Sequence, residues 1–224
     1  MLLEIIVLDP VDAANAVDGG ADRLELVSDM AVGGVSPRPA TVAAVRAAAA
    51  GVPVRVMLRL PAGGFLAPDH TALRRLAKDL LAAGAEEFVL GFLDPAGALD
   101  AAALDAALGV LGGAPWTFHR AIDHAADRDA AWRALDGRPA LDAVLTAGSP
   151  DGIPAGLAVL LDEAPDHRAL LLAGGGLRES HLPALVGAGV TAFHCGSAVR
   201  PGRDWSAPVA PELVRRLRAA LGRF

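Results

Sequence analysis

Four titratable side chains lie in short segments that are otherwise largely apolar. They are Glu25, His119, Asp123 and His194. Imidazole and carboxyl groups are the side chains that most often transfer protons in enzymes. Burying such groups is costly unless they are paired or hydrogen-bonded, so their occurrence in apolar segments indicates a shared polar site. We therefore predict that these four residues form the catalytic acid and base set of this protein.

A second group of residues is suited to binding an anion. The segment LLLAGGGLRES contains Gly174, Gly175 and Gly176, and HCGSAVRP contains Gly196 followed by Ser197. Glycines allow backbone N–H groups to approach an anion closely, and a helix N-terminus favours negative charge. The pattern predicts a phosphate site shared by two loops, and the alternative is two tight turns that bind no ligand.

The elements that must position these residues are βα units. Strand-like runs alternate with Ala-rich helical runs along the whole chain. Strands are predicted at 2–8, 23–28, 54–60, 87–93, 116–122, 143–148, 169–175 and 192–198. Helices are predicted at 40–50, 70–84, 100–112, 179–189 and 211–222. Eight such units predict an α/β fold, a single-domain (βα)8 TIM-type barrel over residues 1–224. The alternative is a doubly wound open sheet, which the absence of GxGxxG after the first strand disfavours.

Alternation along the strands predicts which side chains point into the barrel. Leu24, Leu26, Trp116 and Phe118 are expected to face the helices. The predicted inward set is Glu4, Arg23, Glu25, Arg55, Met57, Arg59, Thr117, His119, Thr146 and His194. Residues late in their strands would reach the carboxyl-terminal mouth, where barrel enzymes place their chemistry. We predict that Glu4, Arg23, Arg59 and Thr146 bind substrate together with the glycines and Ser197.

Four residues leave alternatives open. Arg23 and Arg55 lie early in their strands and are also suited to a structural ion-pair network. Arg120 would face outward if its strand continued unbent, or it would bond loop backbone. Asp123 would either cap the next turn or orient His119.

Bulk composition restricts the partners. The formal net charge is −6, and the basic residues form no stripe with aromatics, so nucleic acid is an unexpected partner. The longest apolar stretches are about eight residues, too short to span a bilayer, which takes roughly 20.

The single cysteine excludes an internal disulfide, and MLLEIIVLD is typical of a first strand rather than a signal peptide, so we predict a cytoplasmic protein. A mean hydropathy of +0.41 favours a homo-oligomer. The expected partner is a small molecule or a metal.

Metal ligands are less clearly indicated. Cys195 follows His194, and adjacent strand residues point to opposite faces, so Cys195 is expected to pack against a helix. Soft Cu(I) prefers thiolate and thioether ligands, and the chain has one Cys and three Met. A hard divalent ion held by Glu4, Glu25 and His119 is an alternative. The sequence therefore predicts no certain cofactor.

The chain resembles the CutC family of copper homeostasis proteins. The resemblance rests on LEI (3–5), GADRLEL (20–26), GGVSP (33–37), TFHRAID (117–123), VLTAG (144–148), AGGGL (173–177) and HCGSA (194–198). It implies a (βα)8-type barrel in the cytoplasm that often self-associates, and copper binding by family name alone.

Two segments depart from the family pattern. The family often carries cysteines in its first strand and at the end of its second, where this chain has Ile6, Val7 and Val27. The family's IRPRGGDF loop becomes LRLPAGGF (58–65), which keeps Arg59 and places Pro61 and Gly64 where the family has Arg and Asp.

Three functions follow as hypotheses. The first is a copper-binding or copper-handling protein, as the family name implies. The second is a barrel enzyme that acts on a small, phosphorylated metabolite. In it His119 or Glu25 would move a proton, Arg59 would hold an anion, and Gly175 and Ser197 would bind phosphate. The third is a partner-binding scaffold whose polar interior is structural.

Overall fold

Eight parallel strands close into a barrel in the computed structural model, which describes residues 1–61, 63–67 and 69–224. The strands are β1 (Leu2–Val7), β2 (Arg23–Leu26), β3 (Val54–Met57), β4 (Glu87–Leu90), β5 (Trp116–Phe118), β6 (Leu141–Thr146), β7 (Leu171–Ala173) and β8 (Ala192–Cys195). Each strand pairs with the next in the chain, and β8 pairs with β1. The predicted (βα)8 barrel is confirmed.

A helix follows each strand. The helices are α1 (Pro10–Asp18), α2 (Pro39–Ala48), α3 (His70–Ala82), α4 (Ala101–Leu111), α5 (Arg128–Leu135), α6 (Ile153–His167), α7 (Leu182–Gly187) and α8 (Pro211–Leu221). Aspartate side chains accept hydrogen bonds from the first turns of α1, α3, α4 and α5. Such caps satisfy N–H groups that have no partner within the helix. Among the described residues, no helix is both long and apolar enough to cross a membrane.

The predicted strands are correct in position but too long at their carboxyl ends. The fifth was predicted over 116–122, whereas β5 ends at Phe118. There the His119 side chain accepts a hydrogen bond from the Ala121 backbone and begins a 3₁₀ turn over Arg120–His124. The predicted helix 179–189 likewise divides into a 3₁₀ turn, Glu179–His181, and α7.

Side chains that alternate along the strands point either into the layer between barrel and helices or into the barrel itself, as predicted. Leu24, Leu26, Trp116 and Phe118 are buried in the layer between barrel and helices. Ile6, Val27, Met57 and Val89 form a smaller apolar cluster of their own. The buried polar side chains are Glu4, Asp12, Arg23, Glu25, Arg55, Arg59, Thr117, His119, Asp123, Thr146, His194 and Arg200.

Arg55 forms the ion-pair network that was one of its two predicted roles. Its guanidinium contacts Glu87 on β4 at 3.1 Å, Asp142 on β6 at 2.5 Å and the Thr117 hydroxyl on β5. One cation therefore connects four strands, β3 to β6.

Candidate functional site

A cavity of about 610 Å³ lies at the carboxyl-terminal mouth of the barrel. This volume is typical of small-molecule sites. Eight of the predicted site residues border it: Glu25, Arg59, His119, Gly175, Gly176, His194, Gly196 and Ser197. Side chains from strands β2 and β8 and from the ends of β3 and β5 therefore meet at one space.

Three buried side chains form a row of polar contacts at this cavity. His194 Nδ1 lies 2.8 Å from Glu4 Oε1, and His194 Nε2 lies 3.3 Å from Glu25 Oε2. Arg23 Nε donates to the other Glu4 oxygen. Glu25 and His194 border the cavity, whereas Glu4 and Arg23 lie beneath them. The row connects the cavity to a buried ion pair through one imidazole.

The row has an uneven charge distribution. Burial would raise the pKa of Glu4, but Arg23 and hydrogen-bonded His194 lower it to about 2. Burial raises the pKa of Glu25 to about 7, against the opposing effect of His194. Burial lowers the pKa of His194, yet the carboxylates of Glu25 and Glu4 outweigh it and raise that pKa above its ordinary value. Glu25 thus changes protonation near neutral pH, whereas Glu4 stays ionised there.

His119 is a neutral hydrogen-bond donor. Its Nδ1 accepts from the Ala121 N–H at 3.2 Å, so the proton of the neutral ring resides on Nε2. Burial, followed by the charge of Arg59, lowers the pKa of His119 to about 3. The residue is 3% exposed, and Nε2 has no hydrogen-bond partner within the described chain. Buried polar groups are normally paired, so this donor indicates a ligand contact.

Glycine loops and an arginine form a second polar wall. Gly175 and Gly176 both have left-handed φ, +93° and +82°, which disfavours any side chain there. Arg120 borders the cavity beside Gly175, and its Nη2 donates to the Ser149 and Pro150 carbonyls. The prediction that Arg120 faces outward is wrong because the strand bends after Phe118, and its alternative, bonding loop backbone, is confirmed.

Arg59 borders the cavity but holds loops together. Its Nε donates to the Gly64 carbonyl, and its Nη1 donates to the Gly33 and Gly34 carbonyls. Two of its three nitrogens are therefore already bonded to backbone. Its guanidinium also lies 4.9 Å from the centre of the Phe65 ring.

Asp123 and Thr146 lie beside the cavity wall rather than on it. The Asp123 carboxylate accepts from Arg120, Arg128, the Thr146 hydroxyl at 2.6 Å and the N–H groups of residues 147 and 148. Neither predicted role, capping the next turn or orienting His119, is among these bonds. Asp123 instead holds the end of β6 against the turn after β5.

Two further predicted substrate contacts are also packed elsewhere. Arg23 lines a small depression with Leu2 and Asp142, at the start of the strands and away from the mouth. A Cβ on Gly174 would lie 2.8 Å from His194, so this glycine allows the ring to pack there.

Known proteins match the chain over most of its length. The model of the CutC family matches residues 1–199. The chain belongs to the CutC family. The human copper homeostasis protein cutC homolog is 34% identical over 211 residues, which cover 91% of this chain and 75% of the relative. The family protein CutC of Agrobacterium fabrum is 34% identical over 94% of this chain and 84% of its own. The solved CutC structure from Streptococcus agalactiae superposes with a TM-score of 0.78 at 22% identity, covering 88% of this chain and 98% of that one, and shares the fold.

A thiolate copper site does not fit the donors of this CutC chain. Cys195 borders the cavity, but its side chain packs in the core cluster between strands and helices, as predicted, and burial raises the pKa of its thiol to about 12. Ile6 and Val27, which stand where the family often has cysteines, border the cavity as apolar residues. The soft donors that border it besides Cys195 are the thioethers of Met30 and Met57.

The fold does not bring Glu4, Glu25 and His119 together as ligands of a hard metal ion. Ligand atoms of Glu4, Glu25 and His194 lie within 4.8 Å of one another, and His119 is outside this set. Both nitrogens of His194 already face carboxylates, and Arg23 neutralises Glu4. The cluster is therefore arranged for hydrogen bonding rather than for a cation.

Sequence reasoning missed several residues of the cavity wall. Phe65, His124 and Trp205 border it, as do Arg120 and Met30. These residues lie in loops after strands, where no periodicity signals which way a side chain points.

Proposed function

We propose that this protein serves in copper homeostasis, as the names of its human, mouse and nematode relatives state. The family match over residues 1–199 carries this proposal. The role would be exercised through the mouth cavity, without a thiolate copper centre, because the single thiol is buried in the core and fully protonated at neutral pH.

Two measurements test this proposal. A bacterial strain that lacks its own CutC gene would be grown at raised copper with and without this chain. We expect the chain to change copper sensitivity, and unchanged growth would contradict the role. A Cu(I) competition titration against a chromophoric chelator should give weak binding that is equal in wild type and Cys195→Ser. Tight binding at one equivalent, lost in the variant, would show that the thiolate is used.

A second function is supported by a specific observation. We propose that the cavity is the active site of an enzyme that acts on a small anionic metabolite, with Glu25 as the proton-transfer group. The carrying observation is the row Glu4–His194–Glu25, in which a carboxyl of pKa about 7 borders the cavity. A pKa near the working pH is what a general base or acid requires. His194 and Glu4 are positioning residues that hold Glu25 and compensate its charge.

A screen of phosphorylated and carboxylated metabolites, read by thermal stabilisation and by turnover, tests the second function. We expect a turnover that rises with pH around a midpoint near 7, because the carboxylate form accepts the proton. Glu25→Gln should lower that turnover at least about 100-fold while the variant still binds the compound. Glu87→Gln is the matched control, because Glu87 is a half-buried glutamate at the other end of the barrel. Equal losses in both variants would contradict the role of Glu25.

We also propose that the chain acts in the cytoplasm and as a homo-oligomer, with no nucleic acid or membrane as partner. Exposed apolar residues support self-association: Val11 is 59% exposed and Val32 48%. Light scattering after size-exclusion chromatography measures the mass. A single species of 22.7 kDa would contradict the oligomer.

A further inference from the structure

We infer that the mouth cavity takes a small carbonyl compound that carries an oxyanion, and that the protein moves a proton on the carbon next to the carbonyl. This inference rests on the enzyme proposal above and names its substrate class. The observation behind it is His119, which is not part of the row Glu4–His194–Glu25 and has no role in the enzyme proposal so far.

The first step is the identity of the donor. The Ala121 N–H holds Nδ1 as an acceptor, so Nε2 of the neutral ring carries the hydrogen. Nε2 is buried and unpartnered within the described residues, while the ring borders the cavity. Phe65 lies edge-on at 5.4 Å between ring centres and packs an apolar ring against the imidazole. A buried N–H of this kind complements an oxygen that gains negative charge.

The second step is the base. Glu25 borders the same cavity from β2. A neutral imidazole that polarises a carbonyl, together with a carboxylate that removes the adjacent proton, is an established combination for enolisation. Here the His119 imidazole, after β5, and the Glu25 carboxyl, on β2, border the same cavity.

The proton transfer balances without a further reactant. The Glu25 carboxylate takes the proton from carbon, and the C–H electron pair becomes the carbon–carbon π bond of the enolate. The carbonyl π pair moves to oxygen, which accepts the hydrogen bond from His119 Nε2. Return of a proton or deuteron from the Glu25 carboxylic acid to the same carbon re-forms the carbonyl and gives exchange with solvent.

The third step is the site that would bind the oxyanion of the substrate. Within the described chain, the N–H groups of Gly175, Gly176 and Ser197 donate to no backbone carbonyl, and all three residues border the cavity. The Arg120 guanidinium lies beside Gly175, with its Nε bonded to Asp123 and its Nη2 bonded to loop carbonyls. Free backbone donors with an adjacent guanidinium bind a phosphate or a carboxylate. The cavity volume of about 610 Å³ accommodates such a metabolite.

Solvent-deuterium exchange tests the inference. Dihydroxyacetone phosphate and 2-oxobutanoate would be incubated with the protein in D₂O, and loss of the proton signal beside the carbonyl would be followed by NMR. We expect exchange above the buffer rate with one probe, and which probe exchanges identifies the oxyanion as phosphate or carboxylate. His119→Leu should slow exchange at least about 100-fold, since it removes an oxyanion donor. His119→Gln, which restores a neutral N–H, should retain exchange within about tenfold.

Each result decides the inference. Circular dichroism and thermal melting would first show that the His119 variants are folded. Exchange with neither probe, or equal exchange in wild type and His119→Leu, overturns the carbonyl assignment. If the metabolite screen still yields a turnover that depends on Glu25, the enzyme proposal stands and this inference alone fails. If neither assay depends on Glu25, both fail.

Discussion

At the scale of single residues, the site separates two carboxyls that differ only in their neighbours. Glu4 and Glu25 are both buried, and burial would raise the pKa of each. Arg23 bonds directly to Glu4 and outweighs that effect, whereas Glu25 borders the cavity and its carboxylate lies 3.3 Å from His194 Nε2. One glutamate therefore remains ionised as a permanent counter-charge, and the other titrates near neutral pH.

This difference predicts a pH dependence of stability. The Glu25 pKa is raised from 4.5 to about 7 on folding, so its contribution is fully present below pH 4.5 and is lost as pH rises through 7. Between pH 4.5 and 6.5, Glu4 and His194 change the unfolding free energy little. The pKa of Glu4 lies near 2, and the pKa of His194 is raised above 6.5. We expect wild type to lose about 2 kcal/mol of unfolding free energy over this window relative to Glu25→Gln.

Urea unfolding of both proteins at several pH values measures this difference. His119, whose pKa is lowered on folding, adds a slope of opposite sign, but it is the same in both proteins and cancels in the comparison. Parallel curves for wild type and Glu25→Gln would show that the pKa of Glu25 is not raised in the folded protein.

The inward-facing residues could be predicted because alternation along a strand is strict. Glu25, His119 and His194 reached the cavity as expected. Arg120 could not be placed by the same rule, since the strand ends at Phe118 and a 3₁₀ turn redirects the next side chain. The many bonds of Asp123 were also beyond the sequence, because they join residues from the loop after β5, from α5 and from β6.

At the scale of elements, the end of β7 fixes the position of the imidazole. Gly174 follows β7, and a Cβ there would lie 2.5 Å from Leu145 Cδ1 and 2.8 Å from His194 Cβ. Gly175 and Gly176, by contrast, are required for their left-handed backbone. The sequence analysis grouped these three glycines as one phosphate motif. The structure requires glycine at these positions for two different reasons, close packing at the first and left-handed backbone at the other two.

Gly174→Ala should therefore disturb the row without touching any of its polar groups. We expect a loss of about 1–3 kcal/mol in unfolding free energy from overpacking. Gly187→Ala is the control, because no atom lies within 4 Å of a Cβ there and the residue ends α7. It should change stability by no more than about 1 kcal/mol, and in the stabilising direction. Urea midpoints compare the two, and equal values would contradict the packing role of Gly174.

At the scale of the whole molecule, one buried carboxylate joins the first and last βα units. Asp12 on α1 is 1% exposed and accepts from Arg200 at 2.5 Å, from the Leu8 N–H at 3.0 Å and from the Val209 N–H at 2.8 Å. Leu8 follows β1, and Arg200 and Val209 lie between β8 and α8. These bonds reinforce the β1–β8 pairing that closes the barrel.

Asp12→Ala should accordingly weaken the closed barrel as a whole. It leaves the Arg200 charge buried without its carboxylate and two N–H groups without acceptors, so we expect a loss of about 3–5 kcal/mol. Asp18→Ala is the matched control, since Asp18 on the same helix pairs with Arg215 of α8 with both side chains more than half exposed. An exposed pair contributes at most about 1 kcal/mol. Equilibrium denaturation compares the variants, and a cost for Asp12→Ala no larger than that for Asp18→Ala would show that barrel closure does not depend on the buried pair.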